Sequence, residues 1–371
     1  MQAIDRSYQM LYSELAQRSL DGAFATEFSL AGRFVPVTVK GRRYWYFDEP
    51  KEGGGKARRY VGPVEDVEIT ARVEHFKDLK ADARARRKLV STLVREAHLP
   101  QPDRMTGDIV EALANAGLFR LRGVLVGTAA FQAYSALLGM RLPETAMQTG
   151  DADFAQFHSI SAAVGDSLPP VLEVLRSVDA TFREVPHRAD GRSTTQFVSR
   201  TGFKVEFLTP NTGSAEHDGH PAPMPALGGA AAEPLRFLDF LIHEPVRAVL
   251  LHGFGVPVIV PAPERFAIHK LIVAARRRSD GDSTAKAKKD LRQALILAEA
   301  LAQVGRHMDL AAAYEEACER GPRWREAIEN SLSRYDARSG DKLRFMITVG
   351  FHDLGKGRTT FQQFLRSDRA E

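Results

Sequence analysis

The chain has 371 residues, with 51 Lys and Arg against 47 Asp and Glu, a formal charge of +4. So mild a basic excess neither demands nor excludes a polyanionic partner. The single cysteine rules out an intrachain disulfide, and no apolar run approaches the roughly 20 residues of a membrane-spanning helix.

At the start of the chain, Ile4, Tyr8, Leu11, Tyr12 and Leu15 recur at three- and four-residue steps, which predicts an amphipathic helix. Charges interrupt this stretch, so it does not read as a secretory leader, and a cytoplasmic location is the expectation. FVPVTVKG, RRYWYFDE and ARRYVGP follow, rich in Val and aromatics and parted by Gly41 and Gly53-Gly54-Gly55; they predict a small antiparallel meander. Tyr44, Trp45 and Tyr46 interleave with Arg42, Arg43, Arg58 and Arg59. That pattern suits either an RNA-stacking platform or a hairpin with one core face, since alternation sets Trp45 opposite its neighbours. From Val64 to His98 the pattern is long, charged and helical, closing an N-terminal part over residues 1–104.

The middle part, 105–260, opens with a helix, DIVEALANAG, that stops on Gly117. The strand FRLRGVLVG, the helix AAFQAYSALLGM, the polar loop RLPETAMQTG and the short strand DADFAQF come next. After VDATFREV, the segments TTQFVSR and GFKVEFLTP form a hairpin over Thr201-Gly202. The fold class is therefore α+β, a mixed sheet flanked by helices. The Gly-, Ala- and Pro-rich stretch 211–234 is expected to be a long surface loop. The last part, 261–371, reads as a helical C-terminal domain, from PERFAIHKLIVAARRR through PRWREAIENSLSRY. Cys318 lies on one of these helices among acidic neighbours and reads as a packing residue. Basic runs at Lys77–Lys88, Arg276–Arg278 and Lys286–Lys289 read as solvated helix faces.

The chemistry gathers in the middle part. In TGDADFAQ, Asp151 and Asp153 stand two apart on a strand, so both carboxylates project from one face. A bare Asp-x-Asp also describes two solvated acids at a strand end. Upstream, however, VLVGTAAF sets Gly127 and Thr128 between an apolar strand and a helix, where N–H groups and a hydroxyl can hold phosphate. Arg120 and Arg122 flank that turn and are candidate phosphate partners, with a sheet-edge salt bridge as the equal alternative. Downstream, Glu206 sits in an apolar strand with Val205 and Phe207 facing the other way. Three carboxylates of this kind make a ligand set for Mg²⁺ or Mn²⁺, suited to in-line displacement at the α-phosphate of an NTP with loss of pyrophosphate.

The order VLVGT, DAD, VEF resembles the DNA polymerase beta superfamily of nucleotidyltransferases, whose signature is an apolar strand, Gly-Gly or Gly-Ser, a helix, Asp-x-Asp or Asp-x-Glu, and a later strand with a third acid. Thr128 stands where Ser or Gly is commoner, and the 24 positions from Gly127 to Asp151 exceed the usual spacing. The layout also resembles a bacterial group of nucleotidyltransferase-like proteins, through YWYF, RRYVGP and PERFAIHKLIVAARR. The resemblance implies Asp151, Asp153 and Glu206 as catalytic metal ligands, with Gly127 and Thr128 cradling the nucleotide. Related toxins carry a nucleotide-contacting Lys on an equivalent helix and an Asp on the next, which implies Lys270 and Asp290 here. His269 reads as an interface residue, having no partner at ligand spacing.

The expected activity is a nucleotidyltransferase of the EC 2.7.7 type, moving an NMP from an NTP such as ATP to a hydroxyl or phosphate on RNA, tRNA, protein or a small molecule. Two alternatives stand beside it. One is a catalytically silent nucleotide- or RNA-binding protein of the same fold. The other is a metal-dependent nuclease, but that class uses Glu-x-Lys and this strand reads Lys204-x-Glu206. Sequence leaves the acceptor and the oligomeric state open.

Overall fold

The computed structural model describes residues 1–28, 32–50, 55–74, 76, 83–143, 150–213, 219–277 and 281–355. The N-terminal elements are β1 (Gln2–Ala3), α1 (Arg6–Glu27), β2 (Arg33–Val39), β3 (Arg42–Pro50), β4 (Lys56–Pro63), α2 (Val67–Glu74) and α3 (Ala83–Arg95). The expected meander is present, β2, β3 and β4 pairing antiparallel in that order. Its two faces differ as alternation requires. Phe47 joins Phe28, Val61 and Phe76 in a small apolar cluster, against which Trp45 packs while its Nε1 donates to Thr70 Oγ1 at 2.8 Å. Tyr44 and Tyr46 project from the other face beside Tyr60.

The single long helix expected over 64–98 is instead two helices. α2 ends at Glu74 and Phe76 lies in a turn, its ring 5.0 Å from that of Phe34 and 6.1 Å from that of Phe47. Burying one aromatic side chain, worth about 1.5–3 kcal/mol, outweighs the local helical preference of the stretch. The basic run at 77–88 lies partly outside the described residues.

The central elements are α4 (Arg104–Asn115), β5 (Val124–Val126), α5 (Gly127–Leu137), β6 (Met140–Arg141), β7 (Asp151–Ala155), α6 (His158–Ala163), α7 (Val171–Val178), β8 (Arg183–Pro186), β9 (Thr194–Val198), β10 (Lys204–Pro210), β11 (Ala222–Pro223), β12 (Ala231–Leu235), α8 (Leu238–Leu241), β13 (Val246–Leu250) and β14 (Val256–Val260). Asp103 caps α4, its carboxylate accepting from Thr106 N at 3.0 Å. The main sheet is mixed: β7, β10 and β12 run parallel, while β5, β9 and β11 pair antiparallel to their neighbours. β7 takes one edge of β10, and β9 and β12 share the other. The predicted hairpin over Thr201-Gly202 joins β9 to β10, with Gly202 N donating to Ser199 O at 3.0 Å.

The stretch 211–234 is not the plain loop expected. Residues 214–218 lie outside the described residues, but beyond them β11 and β12 extend the sheet, with Met224, Ala226 and Leu227 buried. Small side chains permit this closeness. At Gly228 (φ +54°) a β-carbon would lie 2.1 Å from the Pro169 carbonyl oxygen. Of the polar loop after β6, residues 144–149 also lie outside the described residues.

The C-terminal region is helical, as expected: α9 (Pro263–Arg276), α10 (Gly281–Gln303), α11 (His307–Glu319), α12 (Pro322–Leu332) and α13 (Ala337–Asp353). The Phe266 ring on α9 packs 6.0 Å from that of Phe131 and 5.2 Å from that of Tyr134 on α5, and Tyr134 OH donates to Pro261 O at 2.9 Å. One apolar cluster thus runs from the sheet into these helices. Cys318 is a half-buried packing residue on α11, its thiol pushed up in pKa chiefly by burial. Among the described residues no helix is long and apolar enough to cross a membrane.

Candidate active site

Strand register assembles the site. Asp153 pairs with Glu206 across β7 and β10, and with Val126 across β7 and β5; Glu206 pairs with Gln196 across β10 and β9. Residues paired in register project from the same face of a sheet, so Asp153, Glu206 and Gln196 stand together, with Asp151 two positions before Asp153 on that face. The residues between them point the other way into the core, where the Phe154 and Phe207 rings stack at 5.8 Å and Phe197 meets Phe207 edge-on at 6.1 Å. The same alternation that buries those phenylalanines therefore leaves the acids half-buried on the opposite surface.

Beside them the chain turns at Gly127, which leaves β5 with φ +66° and opens α5. A β-carbon there would lie 2.6 Å from Asp153 Oδ2, so only glycine lets the carboxylate lie against this turn. No side chain caps the N-terminus of α5, and Thr128 in its first turn is buried. The first N–H groups of the helix thus open next to the carboxylates.

Crowding shows in the electrostatics. Burial, then the charges of Asp151 and Glu206, push the Asp153 carboxyl up to about 7, against the pull of Lys270 and Lys286. Gln196 Nε2 donates to Glu206 Oε1 and orients that side chain. From the helical region, Lys270 on α9 holds its Nζ 2.7 Å from Asp290 Oδ1 and 5.1 Å from the Phe266 ring centre. Arg277 Nε lies 2.5 Å from the other Asp290 oxygen. Burial alone would raise the Asp290 carboxyl, but the two cations hold it below the usual range. On α10, Lys289 is shifted down by burial and by Lys270, against the attraction of Asp151 and Asp290. His269 is buried and pushed down to about 3 by burial and by Lys270.

The fit to a divalent cation follows from the donor set. Three oxygen-donor carboxylates on neighbouring strand positions, one with its proton affinity raised by the other two, form a like-charge group that Mg²⁺ or Mn²⁺ would relieve. Among the described residues, the three-residue group whose potential ligand atoms all lie within 4.8 Å of one another is a different one, Asp108, Glu111 and His252. There His252 Nε2 sits 2.8 Å from Asp108 Oδ1, a hydrogen-bonded contact on the flank of α4.

The other residues singled out in the sequence divide clearly. Gly127, Thr128, Asp151, Asp153 and Glu206 meet at one end of β5, β7 and β10, and Lys270 faces that end. Asp290 anchors Lys270 and Arg277. Arg122 lies beyond the opposite end of β5, in the turn before it with φ +66°, and lines a separate cavity. Its neighbour Arg120 is tied to Asp166 at 2.6 Å. Sequence reasoning did not place Gln196, Lys286 or Lys289 at the site; the only signal was the KAKK run, which reads equally as a solvated face.

The model of a family described as Nucleotidyltransferase matches residues 104–319, a span that includes every one of these site residues. No curated protein matches the chain. Among solved structures, an antigenic nucleotidyltransferase-like protein from Paracoccidioides brasiliensis is similar at 15% identity, over 58% of this chain and 94% of that one, with a TM-score of 0.28.

Proposed function

This chain belongs to the nucleotidyltransferase family, and from that premise we propose that it moves an NMP from an NTP to an acceptor hydroxyl or phosphate, releasing pyrophosphate. The order of glycine turn, Asp-x-Asp strand and third acidic strand supports a place in the DNA polymerase beta superfamily. The observation that carries the reading is the in-register pairing of Asp153 with Glu206 beside the Gly127 turn.

Asp151, Asp153 and Glu206 are the residues that would hold Mg²⁺ or Mn²⁺. When bound, such an ion neutralises triphosphate charge and lowers the pKa of an attacking hydroxyl. The protein's own groups do the rest. The N–H groups at the start of α5, with Thr128, grip phosphate oxygens. Lys270, held by Asp290, and the neighbouring Lys286 and Lys289 supply positive charge for the β- and γ-phosphates. Gln196 fixes the Glu206 carboxylate. The acceptor oxygen attacks the α-phosphorus, the bond to the bridging oxygen of the β-phosphate breaks, and pyrophosphate leaves with that electron pair.

The test is incubation with labelled NTPs, Mg²⁺ or Mn²⁺ and total RNA, with Asp153→Ala as control. Label transfer by wild type alone supports the reading. No labelled acceptor together with no NTP binding by calorimetry overturns it, and NTP binding without transfer points to a silent binding protein instead.

A further inference from the structure

A cavity of about 970 Å³ lies between the tyrosine face of the β2–β4 meander and the chain entering β5, away from the carboxylates. We propose that it binds single-stranded nucleic acid and is the acceptor site of the transfer, an extension that rests on the proposed function. Its wall carries Tyr44, Tyr46 and Tyr60 together with Lys40, Arg42 and Arg122. The Tyr60 ring lies 5.9 Å from Tyr44 and 5.7 Å from Tyr46, and the Arg122 guanidinium lies close enough to the Tyr60 phenol to oppose the upward push of burial on its pKa. Trp45 and Phe47 pack on the other face, while on this one Tyr60 is buried in the central apolar cluster and Tyr44 and Tyr46 pack against it half-buried, their remaining ring surface lining the cavity.

The charge is selective. Arg120 and Arg247, which also line the cavity, are neutralised by Asp166 and Asp66 at 2.6 Å each. Lys40, Arg42 and Arg122 are exposed, and among the described residues no ion pair holds them; Glu244 is the acid left to oppose them on the wall. Aromatic rings interleaved with uncompensated cations match bases that stack and a backbone that carries phosphate. The volume sits at the top of the range of about 300–1,000 Å³ for small-ligand pockets, which leaves room for more than one nucleotide. The helix start that suits a free triphosphate is at Gly127, five positions after Arg122 and at the other end of the three-residue β5, a reach of at most about 18 Å. A strand anchored at the tyrosines would therefore be held within a few nucleotides of the transfer site.

Fluorescence anisotropy with short, unstructured, labelled RNA and DNA strands, in the absence of NTP and divalent ions, tests this. The Tyr44→Ala/Tyr46→Ala protein should bind about tenfold or more weakly, while Tyr44→Phe/Tyr46→Phe, which keeps both rings, binds like wild type and controls for folding. Arg42→Ala and Arg122→Ala should each lower the salt slope of log affinity by about 0.7. Asp153→Ala should bind strands like wild type, so failure of transfer and failure of strand binding are read separately. Absent strand binding, binding unchanged in the Tyr→Ala protein, or a mononucleotide that competes as well as a strand would each overturn the proposal. Tyrosine-dependent binding by an active enzyme that never labels the bound strand would overturn the acceptor role.

Discussion

Asp290 grips Lys270: one carboxylate oxygen lies 2.7 Å from the ammonium while the other is held by Arg277 at 2.5 Å. The Asp290 side chain is 3% exposed and that of Lys270 11%. Removing one partner strands the others in a poorly hydrated place, which typically costs about 3–5 kcal/mol. Asp290→Ala is therefore expected to lower unfolding free energy by that order in urea titration. Glu299→Ala, which breaks the exposed pair with Lys342, should cost under about 1 kcal/mol. Equal losses in the two variants would show that the Asp290 network contributes nothing special.

Gly127→Ala places a methyl group 2.6 Å from Asp153 Oδ2 at a residue with φ +66°. The left-handed backbone alone disfavours alanine by about 1 kcal/mol, and the carboxylate must also move. A fall in melting temperature of a few degrees is expected, with loss of NTP binding in calorimetry. Undiminished NTP affinity would remove the turn from the nucleotide site.

Gln196 bonds the Glu206 carboxylate without facing any other acid in the strand register. Partners that orient metal ligands typically contribute 10–100-fold in metal affinity. Gln196→Ala should accordingly need about tenfold more Mn²⁺ for half-maximal activity, with NTP affinity at saturating metal little changed. Calorimetric Mn²⁺ titration is the direct check, and an unchanged midpoint would count against the role.

His269 is neutral in the fold, its pKa held at about 3 against an ordinary value near 6.5. The unfolded chain thus binds the proton more readily. Its contribution to stability is full above about pH 6.5 and is lost as pH falls toward 3, at up to about 1.4 kcal/mol per unit. His269→Gln should flatten this part of the stability profile in urea titrations between pH 6.5 and 4. Parallel profiles for the two proteins would show that other groups govern the acid loss.

The parts of the site that lie on strands were legible because a two-residue period ties polar and apolar positions together. Asp151 and Asp153 alternate with Ala152 and Phe154, and Glu206 with Val205 and Phe207, so the shared face follows from local order. Register does not follow: nothing in VEF alone says that Glu206 meets Asp153 rather than Asp151. The lysines were illegible for a related reason. KAKK on α10 has the spacing of any solvated helix, and only the packing of α9 and α10 aims it at the carboxylates. Arg122 shows the converse, since nearness to Gly127 in sequence becomes separation once the intervening residues extend. The stretch 211–234 misled because its loop-like composition says nothing of a parallel partner, which β10 supplies from just before it in the chain, Leu208 pairing with Glu233.

The seat of Phe266 against Phe131 and Tyr134 has a reach beyond packing. Negative charge at this centre comes from the sheet and positive charge from the two helices that follow residue 260, so under the proposed function neither half suffices by itself. The aromatic joint between α5 and α9 is what brings them face to face, and loosening it would leave the acids in place while withdrawing their counterweight. If the proposed transfer takes place at these residues, its competence depends on the packing of α9 against α5.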